Sequence, residues 1–334
     1  MTRPSAESAD EAGAHRHPGP LAHRHPGPLA HRHPGPLAQN LWLGLLCLIW
    51  GSTWIIVKTG LDDLPPFTAA GTRMAVATLA MSVIVRMRRG RERSPAPPFG
   101  LSAIAGLLNL GINYGIVYWS MQYLPSGWVS MLWAVFPMMM ASSGHFFLEG
   151  ERLRPRQWLG IVGGLAGVFL LLRTDVADLG PEALLAGAVV LLSPLASTIG
   201  TTIVKRGGGG FDSNRLTRDG LFIGALPLLA ASFLVEDPLA VEWTPLAVGS
   251  VVYLAVVGTA VTFGLYYWLL RSAPAYKLSL IAYVTPVIAV VLGTLVRGEP
   301  FTANIVAGGV LILGGVVLVV RRRPAPRERA GTAR

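Results

Sequence analysis

The chain has a single cysteine, Cys47, among its 334 residues, so it can build neither a disulfide framework nor a cysteine metal site. Charge is scarce: 14% of residues are charged and 52% are hydrophobic, whereas soluble domains carry about a quarter charged residues. No acid lies deep in an apolar run, which speaks against the buried carboxylate relay of proton-coupled carriers. Histidine is nearly confined to the N-terminal tail. Six of the seven histidines fall there, in His-Arg-His-Pro-Gly-Pro-Leu-Ala written three times from His15, His23 and His31. Metal capture by that tract is conceivable, but its composition is that of a disordered low-complexity repeat. The glycine run 207–210 lacks the Gly-Lys-Ser/Thr of a phosphate-binding loop and reads as a linker.

What the chain has in abundance is apolar runs near 20 residues, each long enough to cross about 30 Å of hydrocarbon. The pattern predicts ten spans, near 41–60, 66–86, 101–121, 126–148, 156–173, 183–204, 220–235, 246–270, 276–296 and 301–320. The first has no signal-peptide layout. Backbone polar groups have no water to bond in that layer, so the spans are helices and the fold is an all-α membrane protein. The net charge of +10 does not point to nucleic acid, because the arginines cluster between and after the runs. Loops 87–100, 149–156 and 205–218 and the tail from Arg321 are basic. The alternate loops carry Asp62 and Asp63, then Asp175, Asp178 and Glu182, then Glu236, Asp237 and Glu242. The positive-inside rule then places both termini in the cytoplasm.

Residues 109–137 are rewritten at 258–286. Gly115, Tyr118, Trp119, Pro125, Ser130, Val135 and Pro137 recur in order as Gly264, Tyr267, Trp268, Pro274, Ser279, Val284 and Pro286. After a slip of one residue, Gly150-Glu151, Gly160, Gly167 and Arg173 recur as Gly298-Glu299, Gly308, Gly315 and Arg321. An odd number of apolar runs separates the copies, so the second enters from the opposite side. That is the mark of two inverted five-helix repeats, at 41–173 and 181–321, flanked by a disordered His/Pro-rich cytoplasmic tail (1–40) and a basic one (322–334).

Four stretches carry a family resemblance. They are Trp50-Gly51-Ser52-Thr53-Trp54 with Lys58; Arg73; Phe136-Pro137 running to Gly150-Glu151-Arg152-Leu153; and Gln157-Trp158-Leu159-Gly160 to Ala166-Gly167-Val168, echoed by Thr285-Pro286 to Gly298-Glu299. From about 41 to 323 the chain resembles the drug/metabolite transporter superfamily, in its ten-helix EamA-type members. The resemblance implies a plasma-membrane carrier of small metabolites or drugs, often an exporter, working by alternating access without a cofactor. Its partners would be a small-molecule substrate and membrane lipids. The sixth span departs from the family in reading Ser193-Pro194-Leu195-Ala196-Ser197, without the tryptophan often found there.

Seven residues are candidates for the substrate site. Arg73, inside the second span, is either a counter-charge for an anionic group or a side chain reaching outward to headgroups, Asp62 or Asp63. Asn109 and Asn113 have the i, i+4 spacing of one helix face and either line a wet cavity or bond neighbouring helices. Trp50, Trp133 and Tyr283, with Ser52, suit an aromatic-lined pocket with a few polar anchors. Pro137 and Pro286 interrupt equivalent helices, as hinges beside a midplane site do. Tyr118 and Tyr267 are either an interfacial aromatic belt or gates at the two mouths. Glu151 and Glu299 read as caps or ion pairs, and His145 as structural. The glycines Gly160, Gly163, Gly164 and Gly167 let helices approach closely, within the bundle or across a homodimer. A competing reading, an integral-membrane enzyme acting on a lipid or isoprenoid, has only Glu149 or Glu151 with His145 to work with, and no metal motif.

Overall fold

The computed structural model describes residues 36–88, 94–149, 152–207, 210–263, 265, 266, 269, 278 and 281–320. The histidine repeats, Gly150, Glu151, Tyr267, Trp268 and the C-terminal tail lie outside the described residues. Within them the chain is helical throughout, with no strand. In chain order the helices are α1 (Pro36–Gly60), α2 (Pro66–Met87), α3 (Phe99–Ser120), α4 (Ser126–Trp133), α5 (Phe136–Phe147) and α6 (Pro155–Leu171). Then come α7 (Pro181–Arg206), α8 (Ser213–Val235), α9 (Pro245–Val261), α10 (Ile281–Arg297) and α11 (Ala303–Val320). Among the described residues α1, α2, α3, α7, α8 and α11 are long and apolar enough to cross a membrane, and α6, α9 and α10 are shorter apolar helices.

Local chemistry sets the boundaries. Proline occupies the first turn of α2, α5, α6, α7 and α9, where its missing N–H has no intrahelical acceptor to lose. Asp212 caps α8 by accepting from the amides of Asn214 and Arg215, and Thr244 caps α9 through Ala247. Gly298, at φ +66, ends α10. Two boundaries differ from the sequence reading. Residues 36–40, assigned to the tail, form the first turn of α1, which Pro36 can open without losing a hydrogen bond. Residues 126–148, expected as one span, are two helices broken at Ala134–Val135, just ahead of Pro137 in the first turn of α5. Pro286, its counterpart, sits inside an α10 that stays continuous, so the expected pair of interruptions is a single one.

The helices pack in a pattern that survives exchange of the two halves. Map α1 onto α7, α2 onto α8, α3 onto α9, α4–α5 onto α10, and α6 onto α11. The α3–α8 contact then becomes α9–α2, α3–α7 becomes α9–α1, and α5–α7 becomes α10–α1; α2–α8, α4–α10 and α6–α11 map onto themselves. Met74, Met81, Tyr118, Met121, Leu132, Leu171, Leu221 and Ile312 are fully buried in the core. Leu79, Val83, Leu159, Val162, Phe169, Leu185, Leu234 and Val310 are exposed on the perimeter, as a lipid-facing surface requires. The α6–α11 seam explains the glycine series. A Cβ on Gly160 would lie 2.6 Å from the Gly315 carbonyl oxygen, and one on Gly167 2.6 Å from that of Gly308, whereas Gly163 faces open space. The small residues thus serve contact inside the bundle.

Candidate functional site

Two stretches of π-helix lie at matching places in the two copies: Ala105–Ile112 within α3 and Tyr253–Val261 within α9. A π turn takes in an extra residue and rotates the helix beyond it, and such bulges gather at functional sites. In α3 the two asparagines expected to share a face both turn toward α7, Asn113 to Ser193 and Asn109 to Gly200. Asn113 donates through Nδ2 to the Asn109 carbonyl at 2.9 Å. Its Oδ1 turns inward, accepting from Trp133 Nε1 at 3.3 Å and from the Ser193 hydroxyl. Asn109 points its Oδ1 at Gly200, seven residues along α7 from Ser193, where that atom is buried without a hydrogen bond among the described residues. Trp133 also donates to Ser193 at 3.1 Å, stacks on Phe136 at 4.9 Å, and lies 6.3 Å from Trp54 on α1. Asn113 is 7% exposed.

In α9 the π stretch delivers Thr259 to Arg73. The guanidinium is 2% exposed, donating through Nη1 to the Tyr118 hydroxyl at 3.2 Å and through Nη2 to Thr259 Oγ1 at 3.4 Å. Its Cζ lies 4.8 Å from the ring centre of Tyr114. Nε has no hydrogen-bond partner among the described residues. Of the sequence alternatives for Arg73, the outward-reaching ones are not seen: Asp62 is held by Arg297 and Asp63 by Thr244. Tyr118, expected in an aromatic belt or at a mouth, is 1% exposed because its hydroxyl serves the guanidinium.

A third polar pair joins α1 to α9, with the hydroxyls of Ser52 and Tyr253 2.9 Å apart. Trp50 lies apart from these groups, packed on Phe263 and Tyr266. Tyr283 donates its hydroxyl to the Val316 carbonyl at 3.1 Å, a tie from α10 to α11. Tyr267 lies outside the described residues. The structure thus places Ser52, Arg73, and Asn113 with Trp133 in three polar contacts, and adds to them Tyr253, Thr259 with Tyr114, and Ser193, which the sequence reading missed. His145 ties the end of α5 to the connection after it, its Nδ1 accepting from the Leu153 amide at 3.0 Å.

Above the polar cluster, at the end of the bundle where the acidic loops gather, four carboxylates each tie one half to the other. Glu236 accepts from the amides of Phe67 and Thr68, at 2.8 and 2.7 Å, and from the Thr68 hydroxyl. Glu299 accepts from the amides of Ser126 and Gly127, at 2.7 and 3.0 Å. Asp62 pairs in a fork with Arg297, at 2.6 and 3.0 Å, and Asp63 accepts from the Thr244 hydroxyl. Glu236 and Glu299 sit on the first amides of α2 and α4, where the partial positive charge of a helix start favours an anion. Asp62, Asp63 and Glu236 also line a basin of about 570 Å³ at this end. Among the described residues no group of histidines, cysteines and acids could hold a metal ion.

A helical bundle with a lipid-facing perimeter, interchangeable halves and polar clusters bridging them defines a multi-pass membrane protein of the transporter class. The chain belongs to the EamA-like transporter family, whose family profile matches residues 38–173 and 184–321, one copy in each half. It is a transporter, not an enzyme. It is 30% identical over 272 residues to the uncharacterized transporter YoaV of Bacillus subtilis, covering 81% of this chain and 92% of that one. It is 31% identical to the uncharacterized inner membrane transporter YedA of Escherichia coli, covering 85% and 91%. A solved crystal structure of a protein at 18% identity superposes with a TM-score of 0.60 over 85% of this chain and 97% of that one, a likeness of fold.

Proposed function

We propose that the chain is a secondary carrier exporting small metabolites or drugs across the plasma membrane by alternating access. In this reading ten spans form two inverted five-helix repeats, both termini are cytoplasmic, and the acidic end faces outward. The exchangeable contacts, the matched π stretches and the alternation of basic and acidic loops support it. The observation that carries it is the divided ownership of the buried polar groups. Asn113 meets Ser193, Arg73 meets Thr259, and Ser52 meets Tyr253, each pair with one member in each half. Motion of one half against the other therefore has to open these contacts. The four cross-half carboxylates hold the acidic end shut, so the conformation is closed to the outside. The break at Ala134–Val135 beside Pro137 is the hinge nearest the site.

The test is side-specific labelling in membranes of known orientation. In a Cys47→Ala background, Ser52→Cys is exposed to a membrane-impermeant maleimide from each side. Labelling from the basic side alone is expected, and labelling from the acidic side should appear once Glu236→Ala and Glu299→Ala are added. Access from one side only, indifferent to those two changes, would sink the alternating mechanism.

A further inference from the structure

Arg73 is a buried cation whose contacts among the described residues are all neutral: a phenol, a hydroxyl and an aromatic ring. It makes no ion pair with them, and its Nε finds no acceptor there. A guanidinium at membrane depth is stabilised only when its charge and its donors are met. The described carboxylates lie at helix ends, in connections or, for Asp219, in the second turn of α8 paired with Arg218, and several of the others are already engaged by the partners named above. Here the fold supplies a charge and stops short of supplying its counter-ion.

The surroundings say what shape completes the site. Gly258, beside Thr259, lets α9 close on α1 next to Arg73: a Cβ built there would lie 3.0 Å from Thr53 of α1 and 3.9 Å from Nη2. The next residue on α1 is Trp54, which lies 6.3 Å from Trp133. The cation itself lies over the ring of Tyr114, the residue after the Asn113 that accepts from Trp133. We infer that the cargo is an organic monoanion, a carboxylate on an apolar or aromatic body, with the carboxylate on Arg73 and the body against Trp54, Trp133 and Tyr114. One negative charge neutralises the site. An amine would place a second cation beside the first, and a zwitterion would bring an ammonium that finds no described carboxylate at that depth. The planar five-donor fork of arginine, with Nε still open, matches the two oxygens of a carboxylate.

This inference rests on the carrier reading and deepens it. Its test uses the full chain, purified, with four probes of one skeleton: phenylacetate, phenylacetamide, phenethylamine and phenylalanine. Thermal stabilisation by phenylacetate alone is expected, along with its counterflow in proteoliposomes. Arg73→Gln should weaken phenylacetate binding by about 100-fold or more, the consequence of removing one partner of a buried charge pair. Arg73→Lys should restore part of it, which a purely structural tie to Tyr118 would not predict. If Arg73→Gln fails to fold, the four-probe comparison on the unaltered chain still decides. Equal stabilisation by the amide, preference for the amine or the zwitterion, no shift with the acid, or undiminished acid binding by folded Arg73→Gln would each overturn the assignment. Counterflow of the amine or the zwitterion would remove the monoanion and keep the carrier. Acid binding without two-sided labelling of Ser52→Cys would do the reverse.

Discussion

In α3 the π stretch Ala105–Ile112 carries an amide, Asn113, to Ser193 and Trp133, whereas in α9 the matching stretch Tyr253–Val261 carries a hydroxyl, Thr259, to Arg73. The two helices share a backbone irregularity at equivalent places and use it for different chemistry. One copy presents a neutral amide oxygen as acceptor. The other meets a fixed positive charge with a small hydroxyl, and Gly258 beside it lets α9 close on α1. Duplication has preserved how the chain turns while letting the side chains go separate ways. A two-fold frame thus encloses a one-sided site, as recognition of an unsymmetrical small molecule demands.

The frame should be the more fragile of the two. Gly167→Val drives a side chain into the Gly308 carbonyl and should destabilise the fold by about 3 kcal/mol, the upper end for overpacking. Gly163→Val on the same helix points into open space and should leave the melting temperature unchanged. Equal melting of the two variants would undo the seam. Next comes the amide side. Asn113→Leu removes the acceptor of the buried Ser193 hydroxyl, while Trp133 keeps its bond to Ser193, and the donor left unmet costs about 1–3 kcal/mol. Transport in vesicles should fall accordingly while the protein still inserts.

On the charged side, Thr259→Val withdraws one neutral partner of Arg73 and should have a smaller effect, about 1 kcal/mol. If Thr259→Val proves as damaging as Asn113→Leu, the division of labour between the halves is wrong. Smallest of all, Asp62→Asn breaks an exposed ion pair with Arg297 and should shift stability by less than about 1 kcal/mol, an effect that added salt erases. A large, salt-insensitive loss there would mean that this pair, rather than Glu236 and Glu299, holds the acidic end.

The duplicated segment, the membrane class and the glycine seam were all legible in the sequence, because each rests on spacing, and spacing survives folding. So was the break near Pro137, a consequence of the missing N–H. Other features were hidden for definite reasons. The π stretches depend on tertiary partners that satisfy the displaced backbone, so hydrophobic periodicity alone does not announce them. Tyr118 near the end of a span looks interfacial by position; only the fold brings Arg73 beneath its hydroxyl. Ser193 and Thr259 carry no signal of their own. Thr78, Ser142 and Thr198 look the same in sequence and merely bond the carbonyl four residues back. Pro286 shows the limit of motif matching, since the same residue at the matching place leaves α10 unbroken.

The cross-half contacts at the acidic end have a genetic consequence. Glu236 and Glu299 grip main-chain amides at Phe67, Thr68, Ser126 and Gly127, and every residue except proline supplies such an amide. Substitutions at those four positions leave the amide donors in place, the Thr68 hydroxyl alone being lost, so these amide contacts depend on two codons, both specifying glutamate. Variation at the starts of α2 and α4 can reshape the entrance while these contacts persist. A laboratory lineage selected for weaker closure at this end should collect its changes at Glu236 and Glu299 first.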